Sequence, residues 1–217
     1  MPAILTKELR FPDPHSISAA GLGAVGGDFS AARLLLAYKT GYFPWTDNPI
    51  TWWSPDPRAV LEFKDFRINR SLAKVIRKQP FQITTDSAFM AVMRGCAAPA
   101  PNRGPTWISE SFVEAYTRLH EMGHAHSVEC WRDGVLVGGL YGVSIGGLFA
   151  AESMFHTESN ASKIALHHLV DHLQRRRAML LDIQALTPIT RELGGSNIPR
   201  RSYLERLADA IAKPPGF

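Results

Sequence analysis

Three stretches decide the fold: Val135-Leu-Val-Gly-Gly-Leu-Tyr-Gly-Val-Ser144, Leu148-Phe-Ala-Ala-Glu-Ser-Met-Phe155 and Met179-Leu-Leu-Asp-Ile-Gln184. Each is short and apolar, and the first two are bounded by the turn dipeptides Asp133-Gly134 and Gly146-Gly147. A tight turn between the first two makes them antiparallel neighbours. Between the second and third lies one helical pattern, about Ala161 to Arg177. A crossover one helix long closes a parallel pair, so the three stretches predict a mixed sheet. Gly134 to Ala151 carries no charge over 18 residues, the lower limit for a membrane span, but its six glycines and two turns argue for strands.

Working outward, His126 to Trp131 and Phe81 to Thr85 read as further strands. Asn69 caps a helix over about 70–79, which Pro80 follows. Asp86 is expected to cap a helix to about Gly95, Ser109 another to Gly123, and a last helix runs from about Arg200 to Ala212. Composition shifts near residue 60. Before it, proline and aromatic residues dominate and only one helix is clear, with Ser30 as cap, Leu34, Leu35 and Tyr38 as its apolar stripe and Gly41 at its end. The fold class is therefore α+β: a small irregular N-terminal domain over 1–61 and a mixed-sheet domain over 62–217. The order of elements in the second matches the acetyltransferase-like (GNAT-like) fold, by analogy alone.

The chain has 217 residues, 45% of them hydrophobic and 20% charged, which supports a core and excludes global disorder. Cys96 and Cys130 cannot make a disulfide framework or a four-cysteine zinc site. The first ten residues lack an apolar run of signal-peptide length. These features predict a soluble cytoplasmic protein with no membrane partner.

The net charge of +4 is concentrated. Residues 64–78 hold Lys64, Arg67, Arg70, Lys74, Arg77 and Lys78 against one acid, Asp65. On a helix, Arg70, Lys74, Arg77 and Lys78 share a face opposite Leu72, Val75 and Ile76. Such a row can face a phosphate backbone, although an ordinary solvated face has the same pattern. Arg175-Arg-Arg177 suits a helix C-terminus as well as a polyanion. Tyr42, Phe43, Trp45, Trp52, Trp53 and Trp107 are many large rings for irregular segments; rings beside a cationic surface can stack unpaired bases, or they can fill a core.

Two carboxylates interrupt apolar strands. Asp182 and Gln184 share a face by alternation, and Glu152 lies in a strand that the crossover can place next to theirs. A carboxylate in such a strand is costly unless paired or set in a cleft. In a cleft the set forms an acid–base or orienting group suited to a cationic substrate. A structural ion pair, Glu152 with Lys163 or an arginine, is the plain alternative. His168 and His172 lack the glutamate and third ligand of a zinc site, so no metal is expected. No Gly-x-Ser-x-Gly, Walker loop or well-placed dinucleotide fingerprint occurs, and Gly21 to Gly27 follows no convincing strand.

Taken in order, these residues resemble the bacterial leucyl/phenylalanyl-tRNA–protein transferases. The resemblance rests on Gly21-Leu-Gly-Ala-Val-Gly-Gly-Asp28, Gly41-Tyr-Phe-Pro-Trp45, Trp52-Trp-Ser-Pro-Asp-Pro-Arg58, Thr106-Trp-Ile108, Gly138-Gly-Leu-Tyr-Gly142, Glu152-Ser-Met-Phe155, Asn160-Ala-Ser-Lys163, Asp182-Ile-Gln184 and Ile198-Pro-Arg200. Each piece is weak alone; the ordered set spans nearly the whole chain. Gly23 and Ala151 depart from the usual pattern without touching the chemistry.

The resemblance implies an aminoacyltransferase that moves Leu, Phe or Met from aminoacyl-tRNA to the N-terminal Arg or Lys of a protein. The product is marked for N-end rule degradation. It implies a monomer with no cofactor and no metal. It implies that Trp45 and Trp107 sandwich the terminal adenine. Leu140, Phe149, Met154, Leu166, Leu169 and Leu173 are expected to line the donor side-chain pocket, and Arg70, Lys74, Arg77 and Lys78 to grip the tRNA backbone. Gln184, held by Asp182, is the expected catalytic group, with Glu152 and Asp182 receiving the cationic acceptor. The donor is already an activated ester, so no ATP site is needed. The rival readings are an acyl-CoA N-acetyltransferase, which His156-Thr-Glu-Ser-Asn-Ala-Ser162 disfavours for want of a pyrophosphate-binding glycine, and an RNA-binding module, which leaves Glu152, Asp182 and Gln184 unexplained.

Overall fold

The computed structural model describes residues 1–99 and 106–217. Its larger sheet has seven strands in the order β11-β5-β10-β9-β8-β7-β6. These are β5 (Arg58–Leu61), β6 (Gln82–Thr85), β7 (Ala125–Arg132), β8 (Val135–Ile145), β9 (Leu148–His156), β10 (Leu180–Gln184) and β11 (Gly195–Ile198). Strands β7, β8 and β9 form the expected antiparallel meander, and the crossover helix α5 (Ala161–Arg175) makes β9 and β10 parallel neighbours. The α+β, mixed-sheet reading therefore holds.

Helix α5 buries Ile164, Leu166, Leu169, Val170 and Leu173 against one face of this sheet. It comes so close that a Cβ on Gly138 of β8 would lie 2.5 Å from the Ala161 Cβ, so only glycine fits there. The short helix α2 (Arg70–Arg77) borders the same cluster through Leu72 and is capped by Asn69, whose side chain accepts from the Leu72 N–H at 2.8 Å. Helices α3 (Phe89–Ala97) and α4 (Glu110–Glu121) cover the opposite face. Helix α6 (Pro188–Glu192) leads into β11, and α7 (Arg200–Ile211) packs Tyr203, Leu207 and Ala210 with Val60 and Leu180.

The N-terminal part is more regular than its composition predicts. Besides α1 (Ala31–Lys39), it forms a sheet of order β1-β2-β4-β3, built from β1 (Ala3–Leu5), β2 (Leu22–Gly26), β3 (Phe43–Asp47) and β4 (Ile50–Trp53). The glycine-rich stretch before α1 is thus a strand: Gly23 admits the Tyr42 ring and Trp52 Nε1 donates to the Gly26 carbonyl at 2.9 Å. Ala24, Leu34, Tyr38, Tyr42 and Trp52 share one buried cluster with Phe89, Phe112, Tyr141 and Ala150, so this part docks through a common core. Arg200, buried, ties it further by donating to the carbonyls of Ile17, Ser18 and Ser54. Residues 58–61, expected to close the N-terminal domain, pair as β5 with β10 and β11 in the larger sheet.

Asp86 departs from the expected cap. The N-cap of α3 is Ala88, while Asp86 adopts φ +57 and turns its carboxylate to the His126 Nδ1 and the Ser127 N–H, at 2.7 and 2.8 Å. Among the described residues, no helix is long and apolar enough to cross a membrane.

Candidate active site

The β9/β10 ladder is three pairs long and ends at Ala150↔Asp182. Both strands then break register with their outer neighbours. In β9, Tyr141 faces Ser153 and Gly142 faces Ala151, which leaves Glu152 as the extra residue of a bulge. In β10, Asp182 faces Val60 and Gln184 faces Ala59, which leaves Ile183 as the extra residue. Bulges re-aim side chains. Here they face Glu152 and Gln184 across the end of the ladder, where Gln184 Nε2 donates to Glu152 Oε1 at 2.7 Å. Gln184 has φ +50, an uncommon conformation for a non-glycine residue.

Asp182 stands behind this couple with no exposed surface. It accepts from Arg58 Nε and Nη2 at 2.9 and 2.6 Å, from the Tyr203 hydroxyl at 2.9 Å and from the Gln184 N–H at 2.9 Å. Asp182 thus contacts Gln184 through the backbone N–H and not through the side-chain amide. The expectation that Asp182 itself meets a cationic acceptor is not met: its oxygens are enclosed and its charge is answered by Arg58. Arg58 is itself clamped between the Phe43 and Tyr203 rings, 4.7 and 4.5 Å from their centroids. Burial opposes its charge, and Asp182 more than restores it, so its proton is held more tightly than usual.

Glu152 keeps partial exposure and lies in a poorly solvating site. Burial raises its pKa most, the Asp182 charge adds to this, and hydrogen bonds from Tyr38 and Gln184 with the Arg58 charge offset part, leaving it pushed up to about 8. The Tyr38 hydroxyl is in turn hydrogen-bonded to that of Tyr116. Lys163, the alternative partner for Glu152, lies instead 3.9 Å from Glu192.

The other expected residues fall in three places. Leu140, Phe149, Leu166, Leu169 and Leu173 share one buried cluster, with partly exposed Met154 packed on it. The cavity of about 270 Å³ between α2, β6 and α5 is lined by other residues, among them Ile76, Phe81, His167 and Asp171. Trp45, 42% exposed, packs on Phe43 and Trp53, and Trp107 packs on Phe112. The two tryptophans thus flank one aromatic core but make no described ring contact with each other. Arg70, Lys74, Arg77 and Lys78 are all exposed on or just after α2, without a described ion pair. His168 and His172 belong to no group of three metal-ligating side chains among the described residues.

Arg58, Tyr38, Tyr116 and Tyr203 are the residues that strand and helix patterns missed. Arg58 closes the stretch Trp52-Trp-Ser-Pro-Asp-Pro-Arg58, so its presence was visible, but its partner lies 124 residues away.

A leucyl/phenylalanyl-tRNA protein transferase family model matches residues 60–208, and the model of that family's N-terminal domain matches 27–56. The chain belongs to this family. It is 48% identical to the leucyl/phenylalanyl-tRNA–protein transferase of Syntrophotalea carbinolica, over 97% of this chain and 93% of that one. Identity to the corresponding proteins of Syntrophobacter fumaroxidans and Nitrosospira multiformis is 50% and 49%, over 95% of this chain and 90% and 91% of theirs. Among solved structures, similarity extends to a ribosomal-protein-alanine N-acetyltransferase from Brucella melitensis, at 18% identity and TM-score 0.34, over 50% of this chain and 81% of that one. A GCN5-related N-acetyltransferase-like protein from Streptococcus suis gives 15% and 0.38, over 65% and 57%.

Proposed function

We propose that this chain is an aminoacyltransferase that moves Leu, Phe or Met from the 3′ end of an aminoacyl-tRNA to the N-terminal Arg or Lys of a protein, marking it for N-end rule degradation. The observation that carries the reading is the Glu152–Gln184 couple at the end of the β9/β10 ladder, backed by buried Asp182 and Arg58, in a chain of the transferase family. The ester is already activated, so the site has to bring an amine to its carbonyl and hold it there. Gln184 orients the attacking amine, and its left-handed backbone, pinned by Asp182, fixes that direction. Glu152 presents its carboxyl to the N-terminal amine from the other side of the couple. The leucine and phenylalanine side chains of the β8–β9–α5 cluster are packed core, so the donor side chain is read as meeting partly exposed Met154 at its edge, an apolar contact that discriminates only modestly per methylene.

The sheet is read as acetyltransferase-like, with Trp45 and Trp107 taking the terminal adenine and α2 lying along the acceptor-stem phosphates. This reading includes a cytoplasmic monomer without cofactor. The test mixes the protein with labelled Phe-tRNA and proteins that differ only in their first residue. Label should enter those beginning with Arg or Lys. Absence of transfer, with acetyl-CoA consumed instead, overturns the reading.

A further inference from the structure

We infer that Glu152 takes the proton of the acceptor's α-ammonium, and that Tyr38 and Tyr116 are positioning residues that hold Glu152 as the carboxylate that receives it. The inference rests on the aminoacyl-transfer reading and deepens it.

Glu152 lies on a bulge and faces Gln184, yet its other neighbours belong to the docked N-terminal part and its contacts. Tyr38 of α1 is near enough to its carboxyl to lower its pKa, and the Tyr38 hydroxyl is hydrogen-bonded to that of Tyr116 of α4. Both rings are at least 98% buried, and both hydroxyls are pushed well above 10, chiefly by burial, so they remain neutral donors. The other groups coupled to Glu152 are Asp182, Arg58 and Tyr203, which are bonded to one another.

A row of two hydroxyls has a useful property. When Glu152 is charged, Tyr116 donates to Tyr38 and Tyr38 donates to the carboxylate. When Glu152 is protonated, its O–H donates to Tyr38, and Tyr38 donates to Tyr116. In the charged state every hydrogen of the row has an acceptor, whereas protonation of Glu152 leaves the buried Tyr116 hydroxyl without a described one, so the row favours the carboxylate that gains the proton and then gives it up. An amide such as Gln184 has no such capacity; it orients the amine. A carboxyl pushed up to about 8 also matches an α-amine, whose reference value is about 8, so transfer between them is nearly thermoneutral.

The step balances. The Glu152 carboxylate accepts one proton from the ammonium. The freed amine attacks the ester carbonyl, forming the C–N bond. As the intermediate collapses, the bond to the 3′ oxygen breaks and a second amine proton leaves with that oxygen as a hydroxyl. Glu152 then returns its proton to water.

The test measures kcat for transfer from Phe-tRNA to an Arg-peptide between pH 6 and 9.5. In Tyr38→Phe the carboxylate loses a donor, so the acid limb of the profile moves up by about one pH unit, with the acceptor KM within about twofold. Tyr116→Phe moves it in the same direction. Glu152→Gln abolishes that limb, and adding Tyr38→Phe to it changes kcat less than about twofold. A Tyr38→Phe profile that superposes on the wild type overturns the inference. So does an equal loss from Tyr38→Phe with and without Glu152→Gln, which marks a merely structural role. If the wild-type protein transfers nothing at any pH, the aminoacyl-transfer reading falls, and this inference with it.

Discussion

Arg58 and Asp182 meet through two hydrogen bonds, at 2.9 and 2.6 Å, and neither has appreciable solvent access. The pair joins β5 to β10 and fixes the backbone of Gln184 from behind. Removing one partner leaves a buried charge uncompensated, which costs about 3–5 kcal/mol. Arg58→Ala should lower stability by that order in urea unfolding. The double variant Arg58→Met with Asp182→Leu should recover much of the loss, because apolar replacements remove both desolvation penalties. It should not recover transfer, because the Gln184 N–H then has no acceptor. Recovery of transfer would show that the pair serves stability alone.

Glu152 makes stability depend on pH in an unusual direction. Its folded-state pKa, about 8, is above the ordinary carboxyl value of 4.5. Between those values the folded protein binds more protons than the unfolded chain, so this group's contribution falls as pH rises through the window. Glu152→Gln should flatten the fall between pH 4.5 and about 8, the interval set by those two values, and be the more stable protein above it. The check is thermal unfolding at stepped pH. A wild type and variant that run parallel would place Glu152 in an ordinary solvated environment.

Asp86 works the opposite way. Burial alone would raise its pKa, but the hydrogen bonds from His126 and Ser127 hold it below the usual carboxylate range. Its contribution is therefore present above the unfolded value and lost as pH falls through the folded one. Asp86→Ala removes two hydrogen bonds that join the β6–α3 turn to β7, and about 1–3 kcal/mol should go with them at neutral pH. The difference from wild type should shrink in acid. An undiminished difference at low pH would mean that the carboxylate charge is not what matters.

The exposed cations of α2 should govern tRNA affinity without reading sequence. Reversing Lys74, Arg77 and Lys78 to Glu should weaken binding of Phe-tRNA and flatten its dependence on salt, by about 0.9 in log–log slope for each phosphate that is no longer neutralised. Filter binding over a salt series measures both. Unchanged affinity and slope would remove α2 from the interface.

Much of this was legible in the sequence, and what was not has physical causes. The β7–β8–β9 meander, the α5 crossover and the β9/β10 pairing follow from local apolar patterns and turn dipeptides, so Glu152 and Asp182 could be placed on neighbouring strands. The bulges at Glu152 and Ile183 could not be read, because strict alternation leaves no room for an extra residue. Nor could the Arg58 fork, whose partners are far apart in the chain. The N-terminal strands are only three to five residues long, too short for a clear alternation, and β2 finds its partner β4 on the far side of α1. Asp86 looked like a helix cap because its residue type suits one; only the fold shows β7 competing for its carboxylate.

If aminoacyl transfer takes place at the Glu152–Gln184 couple, removing the Gln184 amide must stop it. The most direct test is single-turnover transfer from labelled Phe-tRNA to an Arg-initiated peptide in Gln184→Ala, with the Kd for Phe-tRNA and the Tm measured on the same preparation. The account predicts a loss of transfer of about 100-fold or more, with tRNA affinity and Tm close to wild type. Transfer within about threefold of wild type, in a protein that folds and binds tRNA normally, would contradict it.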